Sequence, residues 1–173
     1  KTSKPKNFFI EGVEMAVDDI NQKGGLLGRE IKIISYDDRG EVPRGEKIAI
    51  RLAKKKKIIA VIGHKESKIA IPASVTYEKA GILFISYGAM STDLTRYADN
   101  FTFRNFPTSD EFGQNIAEFI NSSEYKDKYK KMVVFYERDS EGQTLSEIFK
   151  EKAGEFGVEF VATRSYFKDN TDF

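Results

Sequence analysis

The chain has 173 residues, 40% of them hydrophobic, so it can bury a core as one large domain or two small ones. Its 28 basic and 27 acidic side chains leave a net charge of +1, which gives no sign of a nucleic-acid partner. The absence of cysteine excludes a disulfide framework, a thiolate nucleophile and a cysteine-based metal site. No segment reaches the ~20 apolar residues that span a bilayer.

The first half of the chain alternates helix and strand patterns. Val13, Ala16, Val17 and Ile20 follow the helical period, so we expect a helix that buries its apolar face. Gly24 permits the positive φ that closes a helix. The predicted elements are helix 9–23, strand 30–36, helix 43–56, strand 58–62, helix 67–80 and strand 82–86. The run 54–57 of four lysines is typical of a solvated helix end.

The second half continues the alternation after an irregular stretch over 87–100. Pro107 marks a break, and Thr108 with Glu111 has capping-box spacing at the start of the next helix. The other predicted elements are strand 101–104, strand 132–136, helix 142–156 and strand 158–166. Strands that alternate with helices predict parallel pairing through right-handed crossovers.

Six segments of the chain, in this order, carry a resemblance to a known family. They are the helix, glycine turn and strand over 11–38, then 61–67 (VIGHKES), 72–74 (PAS), 81–89 (GILFISYGA), 103–110 (FRNFPTSD) and 170–173 (NTDF). Together they resemble the type I periplasmic binding proteins of the leucine/isoleucine/valine-binding type.

The resemblance implies an α/β fold of two Rossmann-like lobes, each a parallel sheet flanked by helices. Residues 1–107 then form most of the N-terminal lobe and residues 108–173 begin the second lobe, with a hinge near Pro107. Family members begin with a strand and continue well beyond the segment that ends here. We therefore expect the first strand and most of the second lobe to be missing from this sequence.

Ligands of doubly wound sheets gather at the carboxyl ends of strands, where helices begin. Glu66 and Ser67 follow the strand over 58–62, and amide groups at a helix N-terminus favour a carboxylate. Serine is also a preferred N-cap, so a plain helix cap is the alternative for Ser67. The resemblance implies that Ser67 contacts the ligand.

A second candidate loop comprises Tyr87, Gly88, Ala89, Met90 and Ser91. By resemblance, Gly88 offers its carbonyl to a ligand ammonium group and Tyr87 contributes to the site. Met90 stands where a threonine hydroxyl is usual, and Ser91 is one residue displaced from that position.

The third candidate is Glu141, at a helix start in the second lobe, where many relatives have a ligand-covering tyrosine. Its carboxylate can pair with a cationic ligand group, or it can simply favour the helix dipole. Ala70 also replaces a hydroxyl residue common in the family. These departures weaken the case for a branched-chain amino acid in particular.

Other kinds of site have little support in the sequence. Asp37 and Asp38 lack a third carboxylate at a recognisable spacing and are typical of turn caps. His64 is the single histidine, so a paired-histidine metal site is excluded and a histidine-based triad is hard to complete. No nucleotide-binding glycine motif is present. We expect no metal, no cofactor and no catalysis.

The resemblance implies an extracytoplasmic protein, periplasmic or extracellular, whose leader is not part of this sequence. It would capture an amino acid or similar small polar solute for an ABC transporter and hand it to a membrane permease. A sensor domain of a membrane receptor with the same fold is the first alternative, and an α/β enzyme or nucleotide-binding domain is the second. A repressor core is also compatible with the fold, but no helix-turn-helix appears. Ligand identity and oligomeric state, a dimer included, stay open.

Overall fold

A computed structural model describes residues 8–167 except 97, 99 and 129, and it divides the chain into two compact units, one up to Asp37 and one from Asp38 onward. The segment 170–173, used in the family resemblance, lies outside the described residues. The elements in chain order are α1 (Phe8–Gln22), α2 (Val42–Ala53), β1 (Ala60–Ile62), α3 (Ser67–Ala80), β2 (Leu83–Ser86), α4 (Asp93–Arg96), β3 (Thr102–Arg104), α5 (Ser109–Ile120), β4 (Lys131–Glu137), α6 (Ser140–Glu155) and β5 (Glu159–Tyr166).

The first unit contains α1 and the segment that follows it. The predicted helix is present, but none of its residues is buried, so the expected buried face is not found there. The prediction of a strand over 30–36 is wrong, because residues 30–37 pair with no other described strand. Instead, the Asn21 side chain accepts a hydrogen bond from the Ile31 amide at 2.8 Å and donates one to the Ile31 carbonyl at 2.9 Å.

The second unit contains two parallel sheets. One has three strands in the order β1, β2, β3, and the other pairs β4 with β5. Both sheets are parallel throughout, as the alternation of elements predicts. The carboxyl ends of β1, β2 and β3 therefore lie at one edge, where the loops before α3 and after β2 meet.

The core of the three-stranded sheet lies between its middle strand and α3. Ile69, Ala73 and Tyr77 of α3 and Phe84 of β2 are at most 1% exposed. The rings of Tyr77 and Phe84 lie 5.1 Å apart between centroids, in a tilted arrangement that aromatic pairs favour. This packing fixes α3 against the sheet and so sets the position of its N-terminus.

Two glycines allow the helices of this unit to pack closely. A Cβ atom on Gly45 of α2 would collide with the side chain of Ile69 of α3. A Cβ on Gly113 of α5 would lie 2.7 Å from Cγ2 of Ile148 of α6. α5 starts with the predicted capping box, in which the Thr108 hydroxyl accepts from the Glu111 amide at 3.1 Å.

Candidate binding site at the start of helix α3

Ser67 is the first residue of α3, and its side chain does not cap the helix. The N-cap residue is Glu66, which makes no side-chain cap bond and pairs with Lys68 at 2.8 Å instead. The Ser67 hydroxyl accepts a hydrogen bond from the Ser91 amide at 3.1 Å. The alternative of a plain helix cap therefore does not describe Ser67, whose hydroxyl joins the loop after β1 to the loop after β2.

The loop over 87–91 is held by hydrogen bonds to three of its carbonyl oxygens. Those of Ala89 and Ser91 accept from the Arg104 guanidinium at 3.2 and 2.7 Å, and that of Met90 accepts from the Ser109 amide at 2.9 Å. Within the described part of the chain, the Gly88 carbonyl accepts no such bond. The Gly88 carbonyl is therefore an acceptor of this loop that is still available.

Glu141 reaches the start of α3 from the first turn of α6. Its Oε1 accepts a hydrogen bond from the Ser67 amide at 3.2 Å and a second one from the Ser67 hydroxyl. The two residues are 74 positions apart in the chain. The structure thus brings together two of the residues that the sequence singles out, with a carboxylate seated on the N-terminus of α3.

The remaining predicted residues lie around this contact in different ways. Tyr87 and Met90 are half-buried and Ala89 is fully buried. Burial raises the pKa of Tyr87 above its ordinary value, and the nearby negative charge of Asp38 acts in the same direction. Ser91 meets Ser67 through its backbone, while its hydroxyl accepts from the Asp93 amide at 3.3 Å at the start of α4.

A buried polar network that the sequence does not reveal supports the loop before α3. His64, only 8% exposed, places Nδ1 2.8 Å from Oδ2 of Asp38 and Nε2 3.0 Å from the Tyr77 hydroxyl. Asp38 also accepts from the Gly40 amide at 3.0 Å, the turn-capping role expected of it. The sequence indicates only a turn-capping role for Asp38 and no partner for His64, because their pairing depends on the fold.

Arg104 is the second residue that sequence reasoning misses. Besides the two carbonyls, its guanidinium donates to the Thr95 hydroxyl at 3.0 Å, so one side chain ties β3 to the loop and to α4. In the described residues no group of three or more histidine, cysteine, aspartate or glutamate side chains is suited to hold a metal ion. No described helix is both long enough and apolar enough to cross a membrane.

A helix N-terminus and an acceptor loop thus meet at the carboxyl ends of parallel strands, which is where ligands of doubly wound α/β folds gather. The sequence model of the periplasmic binding protein family matches residues 7–173. The chain belongs to this family, and its α/β fold is the type I periplasmic-binding-protein fold.

Individual relatives agree with this assignment. An amino acid binding protein of Pseudomonas aeruginosa is 32% identical over 95% of this chain and 43% of its own length. A Leu/Ile/Val-binding protein homolog 1 of Brucella abortus is 33% identical over 86% of this chain and 39% of its own length. The chain therefore spans less than half the length of these relatives.

Solved structures show the same relationship. An ABC transporter substrate-binding protein of Desulfitobacterium hafniense, in complex with Leu, has a TM-score of 0.82 and 34% identity, covering 95% of this chain and 48% of its own. The substrate-binding protein LivJ of Streptococcus pneumoniae, in complex with isoleucine, has a TM-score of 0.79 and 27% identity, covering 94% of this chain and 45% of its own.

Proposed function

We propose that this chain forms the head-group-binding part of an extracytoplasmic solute-binding protein that captures an amino acid for uptake by an ABC transporter. The observation that carries the proposal is the carboxylate at the start of α3. Ser67 directs its amide and its hydroxyl at one carboxylate oxygen of Glu141. Two donors that bind the carboxylate of a side chain are equally suited to the carboxylate of a free amino acid.

The ammonium group of the ligand is assigned to the Gly88 carbonyl. This oxygen belongs to the loop whose next three carbonyls are already engaged, and the Ser91 amide links the same loop to Ser67. The donors of Ser67 suit the carboxylate of an α-amino acid, and the acceptor of Gly88 suits its ammonium group. We assign Tyr87 and Met90, two half-buried residues of this loop, to contacts with the rest of the ligand.

The two lobes are assigned to residues 1–107 and 108–173, with the hinge near Pro107. Two separate parallel sheets support this division, since β1 to β3 precede Pro107 and β4 and β5 follow it. Closure of one lobe on the other around the ligand is the motion by which such folds bind. Glu141 belongs to the second lobe in this division, so its hydrogen bonds to Ser67 join the two lobes directly.

The family and its relatives support the proposed location and partners. The relatives in solved structures are ABC transporter substrate-binding proteins. We assign the protein to the extracytoplasmic side of the membrane, with a permease as its partner and binding, without catalysis, as its activity.

A thermal-shift experiment tests the proposal on the full-length mature protein. A ligand that binds only the folded state raises the midpoint temperature of unfolding. At a ligand concentration a hundredfold above Kd, the folded state gains about 2.7 kcal/mol of stability. We expect a shift with at least one α-amino acid in a panel of the twenty common ones, and its loss in Ser67→Ala. Ser74→Ala is the matched control, because Ser74 is a buried serine of the same helix whose hydroxyl donates to the Ile71 carbonyl. No shift with any amino acid, from a protein shown to be folded, would refute the proposal.

A further inference from the structure

We propose that Glu141 is an internal competitor for the ligand: in the ligand-free protein its carboxylate occupies the place of the ligand's carboxylate on Ser67, and binding requires its displacement. The inference rests on the proposed function and extends it to a specificity-determining residue. It starts from the contact of Glu141 Oε1 with both the amide and the hydroxyl of Ser67.

Helix α6, on which Glu141 lies, does not need this carboxylate at its own N-terminus. Its N-cap is Asp139, whose Oδ1 accepts a hydrogen bond from the Gly142 amide at 2.7 Å. The Glu141 side chain is therefore not committed to capping α6, and it makes its hydrogen bonds on another helix.

Helix α3, by contrast, has no side-chain cap of its own. Its N-cap residue Glu66 is engaged with Lys68, so a side chain from elsewhere in the chain supplies the acceptor. A carboxylate at this position gains from the helix dipole and from two hydrogen bonds. Both gains are available to a ligand carboxylate in the same way, which makes the two groups alternatives.

Simultaneous occupation is unfavourable for two reasons. Ser67 offers a single amide and a single hydroxyl proton, and its hydroxyl oxygen already accepts from Ser91 at 3.1 Å. Two carboxylates at the same donors would also repel each other. A carboxylate ligand consequently binds only the fraction of molecules in which Glu141 has left, and its apparent affinity is reduced by that fraction.

Calorimetric titration of the full-length mature protein with L-leucine tests this inference. Glu141→Gln removes the charge while keeping the side-chain shape, and we expect it to bind leucine about 5- to 30-fold more tightly than the wild type. Leucinamide, which lacks the carboxylate charge, should gain less, because no repulsion between two carboxylates is relieved. Glu147→Gln is the matched control, because Glu147 is an exposed glutamate of α6 that accepts from Gln143 at 2.9 Å, and its affinity for leucine should equal that of the wild type.

Equal or weaker binding of leucine by Glu141→Gln would overturn the inference while leaving the proposed function intact, and weaker binding would assign Glu141 to the ligand ammonium group. If neither protein binds leucine, the proposed function fails for this ligand and the inference fails with it. A double-mutant cycle of Ser67→Ala and Glu141→Gln on urea unfolding, without ligand, gives an independent readout. We expect a measurable coupling between the two residues, and additive effects would overturn the inference.

Discussion

Asp38 and His64, which are 26 residues apart, are joined by a contact of 2.8 Å between Oδ2 and Nδ1. An ionised carboxylate can only accept hydrogen bonds, so Nδ1 of His64 carries the proton and donates a hydrogen bond to Asp38. The backbone of His64 has a φ of 28°, a conformation uncommon outside glycine, and its carbonyl accepts from the Ser86 hydroxyl at 3.3 Å. This pair therefore holds the loop that leads into Ser67.

Removal of the Tyr77 hydroxyl should destabilise the protein. Tyr77 is fully buried, and burial raises the pKa of its hydroxyl, with the charge of Asp38 acting in the same direction, so the group stays protonated and available to His64. Tyr77→Phe leaves Nε2 of His64 buried without a partner, and we expect a loss of about 1–3 kcal/mol in the free energy of unfolding by urea.

The matched control is Tyr136→Phe. Tyr136 is half-buried on β4, and its hydroxyl makes no hydrogen bond within the described part of the chain. Its removal should change the free energy of unfolding by less than about 0.5 kcal/mol. Equal losses in the two variants would contradict the proposed role of the Asp38–His64–Tyr77 network.

Asp38 should contribute to stability in a pH-dependent way. Burial alone would raise the pKa of Asp38, but hydrogen bonds from His64 and the Gly40 amide, with the positive charge of Arg44, outweigh it and lower the pKa below its usual value. A carboxyl whose pKa is lower in the folded state stabilises the fold above its unfolded pKa of about 3.9. That contribution is lost as the pH falls through the folded pKa.

The variant Asp38→Asn lacks the carboxylate charge that stabilises the fold, so it should be less stable than the wild type at pH 6. The gap between the two proteins should narrow steadily as the pH falls from about 5 toward 3. Urea unfolding at half-unit pH steps measures both curves. A gap that stays constant over this range would show that the charge of Asp38 has no part in stability.

Ligand binding should require an arginine at position 104, and a lysine should not replace it. The planar guanidinium of Arg104 reaches the carbonyls of Ala89 and Ser91 together, which the single ammonium group of a lysine cannot reproduce. We expect Arg104→Lys to weaken binding of the ligand found in the thermal-shift panel and to speed hydrogen exchange at the Ser91 amide.

Arg96→Lys provides the comparison for Arg104. Arg96 is exposed and pairs with Asp93 at 3.1 Å on the surface, an interaction worth at most about 1 kcal/mol. Affinity and amide exchange should stay at wild-type values in this variant. If Arg104→Lys also behaves like the wild type, the loop over 87–91 does not depend on the guanidinium.

An added side chain at position 88 should weaken ligand binding. A Cβ there would lie 3.0 Å from Cγ and 3.1 Å from the carbonyl oxygen of Lys65, so Lys65 and its backbone would have to shift by a few tenths of an ångström. We expect Gly88→Ala to weaken ligand binding at least tenfold, a change of about 1.4 kcal/mol, in a titration of the purified protein. Gly63→Ala, where an added Cβ meets nothing within 4 Å, should retain the wild-type affinity.

The sequence predicts α3 correctly to the residue, because its signals are local. A polar residue and a serine precede the apolar run, and Gly81 ends the helix with a φ of 65°. The capping box of α5 is predicted for the same reason, since Thr108 and Glu111 lie within one turn. Parallel pairing follows from the alternation of strands and helices, which topology rules constrain strongly.

Most features that the sequence does not predict depend on contacts between residues distant in the chain. The segment over 30–36 has a strand pattern, but a strand also needs a partner, and the Asn21 side chain binds its backbone instead. The helix Asp93–Arg96 is only one turn long, too short for any periodic pattern within 87–100. The contact of Ser67 with Glu141 and the contacts of Arg104 depend on the folded geometry, so the sequence could name the first two residues as candidates but could not pair them.

The central claim is that Ser67 and Gly88 recognise the two charged groups of an α-amino acid. Calorimetric titration of the full-length mature protein with leucine, leucinamide and 4-methylpentanoate tests it most directly, because the two analogues lack the carboxylate charge and the ammonium group respectively. We expect leucine to bind at least tenfold more tightly than either analogue and Ser67→Ala to remove its advantage over leucinamide. Equal affinities for leucine and leucinamide in the wild type would contradict it.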